Sequence, residues 1–146
     1  MVATSMLGSS ALALPMLGMM IVTLLVWVFM FIQRIGFAQS HTLDIEQFKT
    51  PADVQALIPA DLSGASNNFK NLFELPVIFY AICLYLIASG QVDSFYANCA
   101  WAFVVLRAVH SLIHCSYNKV AHRFGIYMLS GIALWVMVVR AFLAAL

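Results

Sequence analysis

Ionisable and amide side chains recur at helical spacing inside stretches that are otherwise apolar. Asn67, Lys70, Asn71 and Glu74 are separated by steps of three and four residues, which places them on one face of a helix. Arg107, His110, His114 and Tyr117 repeat the pattern, and Lys119, His122, Arg123 and Tyr127 follow shortly after. Charged groups within long apolar helices are expensive in lipid, so they face a bundle interior or a wet cavity. A cavity lined by Arg123, Lys70, Asn71, His110 and Tyr127 is rich in donors and suits a small, anionic, peptide-like ligand.

The elements that position these groups are membrane spans. Of 146 residues, 64% are hydrophobic and 9% charged, and mean hydropathy is +0.96. A soluble domain carries about 25% charged residues, so an exterior this poor in charge requires hydrocarbon around it. Four spans are expected at about residues 11–33, 67–89, 94–118 and 124–145, in a single membrane domain covering 1–146. The first carries no charge, lacks a basic leader, and is longer than a signal-peptide core. It therefore reads as a retained helix. Residues 34–66 hold most polar groups of the first half and read as a loop, with a short helix near Pro51–Leu57 capped by Thr50.

The basic residues orient the bundle. Arg34, Lys49 and Lys70 flank the first loop, and Lys119 and Arg123 flank the third. The positive-inside rule places both loops in the cytoplasm and both termini outside. Arg140, at the other end, is expected to snorkel to the interface. Antiparallel connectivity then brings Asn67–Glu74, Arg107–Tyr117 and Arg123–Tyr127 to one end of the bundle. Glu74 and Arg107 fall at similar depth, where an unpaired charge costs several kcal/mol, so an interhelical ion pair between them is expected. Apolar helix faces above the cavity would admit a lipophilic partner from the bilayer.

Other chemistries are less well supported. Net charge is +1 and the seven Lys and Arg are dispersed, which argues against nucleic acid. Cys83, Cys99 and Cys115 lie in apolar runs without paired spacing and read as reduced packing residues. His110 and His114, four apart, could ligate a metal or haem, although no third ligand of clear spacing follows.

The segment Lys70-Asn71-Leu72-Phe73-Glu74-Leu75-Pro76 resembles the basic-Asn-x-x-Glu…Pro signature of the MAPEG family, the membrane-associated proteins of eicosanoid and glutathione metabolism. The order Arg107, His110, His114, Arg123, Tyr127 resembles the region joining the third and fourth helices of the same family. It is most similar to the microsomal prostaglandin E synthase and glutathione transferase branches. The resemblance implies a homotrimer of four-helix bundles with glutathione, as cosubstrate, between subunits. It further implies that Lys70, Asn71, Glu74, His110 and Tyr127 hold the tripeptide, with His114 where the family commonly carries tyrosine. Arg34 would meet a glutathione carboxylate, and Arg123 would stabilise the thiolate. Asn67 replaces a basic residue, and Phe124 stands where the prostaglandin branch has serine.

The implied activity is a glutathione-dependent transferase or peroxidase acting on a lipophilic electrophile. A free thiol of pKa about 8.5 is mostly protonated at neutral pH, and a guanidinium within hydrogen-bond reach favours the anion. The departures at 114 and 124 motivate an alternative, a non-catalytic binding or scaffold subunit of the same fold. Short loops point to a bacterial inner membrane.

Overall fold

The computed structural model describes residues 2–146, with side chains from residue 11 onward except at 45 and 61. Six α-helices follow in order: α1 (Val2–Ser40), α2 (Pro51–Leu57), α3 (Gly64–Asn71), α4 (Leu75–Ala88), α5 (Ser94–Cys115) and α6 (Val120–Ala145). Short 3-10 turns occupy Ile45–Phe48 and Ala60–Leu62. No strand occurs among the described residues. Four segments are long and apolar enough to cross a membrane: Ala11–Ser40, Gly64–Ala88, Ser94–Cys115 and Val120–Ala145.

The helix boundaries differ from the sequence expectation in ways that matter for the site. α1 continues past Gln33 through Arg34 to Ser40, because nothing before Thr42 halts it. Thr42 then adopts a left-handed conformation with φ 53°. At 39 residues and 1.5 Å per residue, α1 is ~58 Å long. The second span starts at Gly64 and breaks at Leu72–Glu74 before resuming as α4. Pro76 supplies the cause: it lacks an N–H for the preceding turn and sits in the first turn of α4. The loop expected at 34–66 is therefore shorter, running from the end of α1 to the start of α3. Its helix α2 matches the expectation in full. Thr50 Oγ1 accepts from Asp53 N at 3.2 Å, and the Asp53 carboxylate accepts from Thr50 N at 3.1 Å, a reciprocal cap.

α5 is the central helix, packed against α1, α3 and α6. Its Phe103 ring stacks on Phe79 of α4 with centroids 4.6 Å apart. Leu12, Met19 and Val26 of α1 and Leu134, Met137 and Ala141 of α6 close the core. Outside, Leu14, Leu25, Ile32, Leu112 and Phe142 are all more than half exposed, an apolar exterior suited to lipid. The three cysteines are free thiols.

At the end remote from the site, Gly90 (φ +69°) closes α4. The N–H of Gln91 donates to Leu86 O at 3.0 Å, the bond of a Schellman stop. Asp93 then caps α5 by accepting from Tyr96 N at 2.9 Å. Arg140 does not snorkel freely: it forms a two-pronged bond to Asp93, at 2.6 and 3.1 Å. Its guanidinium lies 4.7 and 4.4 Å from the ring centroids of Phe95 and Tyr96.

Candidate functional site

Arg107 is the largest fully buried side chain of the molecule. It projects from α5 toward the C-terminus of α3, where Nη2 donates to the Asn71 side-chain oxygen at 2.7 Å and to the Asn71 backbone oxygen at 3.1 Å. The Asn71 carbonyl lies at the end of α3, where it accepts from Arg107 as well as from the Glu74 N–H at 3.4 Å. Asn71 in turn donates from Nδ2 to Glu74 Oε2 at 2.6 Å. The expected direct Glu74–Arg107 ion pair is thus replaced by a relay through Asn71. The helix break accounts for the change, because Glu74 leaves the inward face and is exposed while Arg107 remains at 0% exposure.

The second arginine sits at the opposite wall. Arg123, in the first turns of α6, donates from Nη1 to His114 Nε2 at 3.1 Å and to Asn118 Oδ1 at 2.6 Å. Its backbone oxygen accepts from His110 Nδ1 at 3.1 Å. That bond fixes the His110 tautomer, leaving Nε2 as an acceptor. Arginine only donates, so His114 accepts at Nε2 and carries its hydrogen on Nδ1. Tyr127 completes the wall, with its ring 5.5 Å from the Arg107 guanidinium and 5.8 Å from the His110 ring.

Seven of the expected site residues are therefore brought together: Asn71, Glu74, Arg107, His110, His114, Arg123 and Tyr127. Arg34 and Lys70 line an adjacent cleft of about 640 Å³ between α1, α3 and the α2 region, with Lys49, Thr50 and Gln55 on its far side. Lys70 and Asn71 are neighbours on α3 and point about 100° apart, so one helix serves both spaces. Arg34 Nη2 donates to Ser66 Oγ at 2.8 Å. Tyr117 and His122 lie off the site, exposed and paired with each other at 3.2 Å.

Two residues escaped the sequence reading. Asn68 is fully buried and faces α5, where it meets Cys115 Sγ and Ser111 Oγ at 3.5 Å. Its position beside Asn67 reads from sequence as a helix end among headgroups. Asn118 holds Arg123, and its signal was available: an asparagine shortly after the end of a helix is a common stop.

The electrostatics are one-sided. The ion pairs among the described residues are Lys49–Glu46 and Arg140–Asp93, so no described carboxylate lies within 4 Å of Arg34, Arg107 or Arg123. Arg107 Nε and Nη1, His110 Nε2 and His114 Nδ1 are buried without a partner. Four such atoms in one cluster leave three donors and one acceptor unspent at this end of the bundle. No group of three or more His, Cys, Asp or Glu is gathered as a metal site among the described residues.

An all-helical bundle with four segments long and apolar enough to cross a membrane, and a cation-rich interior at one end, is that of an integral membrane protein. A model of the MAPEG family matches residues 12–143, and the chain belongs to that family. Members of this family generally use glutathione and form trimers. Comparisons with curated proteins and with solved structures give no match.

Proposed function

We propose that this chain is a glutathione-dependent membrane transferase or peroxidase, acting as a homotrimer on a lipophilic electrophile supplied by the bilayer. The observation that carries this reading is the pair Arg107 and Arg123, two guanidinium groups held by neutral acceptors, with no described carboxylate in contact. Charges so placed retain their full attraction for an incoming anion. Glutathione supplies the nucleophilic sulfur. Arg123 stabilises negative charge on that sulfur, and the N-terminus of α6 adds to the same field. Arg suits this role because it stays charged when desolvated. Asn71, His110 Nε2 and Tyr127 orient the tripeptide, and Arg34 and Lys70 meet its carboxylates. An apolar groove of about 480 Å³ between α1 and α5, lined by Leu25, Phe29, Ala108 and Leu112 among others, supports approach of a lipophilic partner from the membrane. The loops bearing Lys49 and Lys119 face the cytoplasm, in a bacterial inner membrane.

The experiment is glutathione binding to the detergent-purified protein, read by ultraviolet thiolate absorbance. Wild type is expected to bind and ionise the thiol, and Arg123→Ala to bind with the thiolate signal largely lost. A wild type that binds no glutathione at millimolar concentration would overturn the reading. A second reading, a non-catalytic binding or scaffold subunit, is favoured by one observation: two residues of the chain itself already occupy Arg123 Nη1. Thiolate formation together with turnover of a generic electrophile excludes it.

A further inference from the structure

We infer that Asn118 and His114 are positioning residues for Arg123, a clamp of neutral acceptors that fixes the guanidinium without cancelling its charge. The inference rests on the proposed function and concerns how the thiolate-stabilising group is held. Asn118 belongs to the short connection between α5 and α6. Its N–H donates to Ile113 O at 2.9 Å, closing α5, and its φ of +48° places it in the left-handed region. Among side-chain-bearing residues, asparagine enters that region most readily. The turn that ends one helix therefore also presents an amide oxygen to the first turns of the next. Arg123 Nη1 reaches that oxygen at 2.6 Å and His114 Nε2 at 3.1 Å.

Both contacts use one nitrogen of the guanidinium. Fixing one corner by two acceptors from different places, the α5 helix and the connection, removes the rotational freedom of a long side chain. It leaves Nε and Nη2 for another partner. A carboxylate at either position would hold the arginine as firmly, but it would offset the charge on which anion stabilisation depends. The use of an amide and an imidazole at these distances is what separates a clamp from an ion pair.

The test uses the full-length protein and glutathione itself, with thiolate absorbance as the readout and thermal unfolding as the folding control. Asn118→Gly keeps the left-handed turn, since glycine adopts it freely, and removes only the amide. It is expected to bind glutathione but to show about a tenfold smaller ratio of thiolate to thiol at neutral pH, equivalent to one pKa unit. Asn118→Asp keeps an acceptor at the same place and adds a charge. It is expected to unfold no earlier than wild type, yet to lose at least as much thiolate as the glycine variant. His114→Gln, whose amide oxygen can replace Nε2, is expected to retain more thiolate than His114→Leu. Unchanged thiolate in both Asn118 variants, beside a wild type that ionises the thiol, would overturn the clamp alone. A wild type that binds no glutathione, or binds it without ionisation, overturns the clamp and the proposed function together.

Discussion

At the scale of the residue, the interior depends on how Arg107 is satisfied. Its visible partners are both oxygens of Asn71, so removal of that side chain leaves a buried cation poorly solvated. Asn71→Leu, which has the same branching, is expected to destabilise the protein by about 3 kcal/mol, the upper end for orphaning a buried polar group. A thermal melt in detergent checks this. Arg107→Met added to Asn71→Leu is expected to recover part of the loss, because an unbranched apolar side chain there no longer buries an unpaired charge. Equal melting temperatures for the single and double variants would contradict the account. That Asn71, Arg107, His110, His114, Arg123 and Tyr127 gather at one end of the bundle was legible from spacing, with Glu74 joined to them through Asn71. Their pairing was not. Spacing shows which residues share a helix face, but a break within the helix re-aims those beyond it, and Glu74 lies beyond it. Pro76 was the available sign.

At the scale of the element, most starts and stops were written locally. Thr50 with Asp53, Gly90 and Asp93 each do what their residue types prefer, and α2 and the turn between α4 and α5 follow. The extent of α1 was not legible, because Arg34–Ser40 is polar enough for a loop and equally able to continue a helix. Asp93 joins two elements, capping α5 and holding Arg140 of α6. The hydrogen bond from Arg140 lowers the Asp93 carboxyl below its usual value, with the Tyr96 N–H adding to the effect. A carboxylate lowered in the folded state contributes stability above the ordinary value of about 4 and loses it as pH falls through the folded value. Wild type is therefore expected to melt earlier in acid below about pH 4, with that component absent in Asp93→Asn. Asp93→Ala, which also removes the cap, is expected to cost about 1 kcal/mol more than Asp93→Asn at neutral pH. Both variants are compared by melts across a pH series. The pair is exposed, so the acid effect is small.

At the scale of the whole molecule, composition decided the fold class, since so few charges cannot clothe a protein in water. Four spans and one polar end followed from the distribution of those charges. The division of that end into an arginine cluster and a separate cleft did not follow, because it depends on two adjacent residues of α3 pointing to different spaces. The proposed orientation makes a direct expectation. A cysteine introduced at Thr42 should react with a membrane-impermeant maleimide only once the cytoplasmic face is opened, and one at Gln91 should react from outside in intact cells. The reverse pattern would invert the topology.

The length of α1 carries a consequence for traffic through the site. A hydrocarbon core of about 30 Å covers only part of a ~58 Å helix, and the stretch from Arg34 to Ser40 is where it emerges from the apolar run. At its start Arg34 borders the cleft whose other wall is α2 and its neighbouring turns. With the apolar run centred in the bilayer, the cleft would be raised into water, while the groove between α1 and α5 would stay submerged. A hydrophilic reactant and an oily one would then arrive by separate doors, and neither would need to cross the other's solvent to meet.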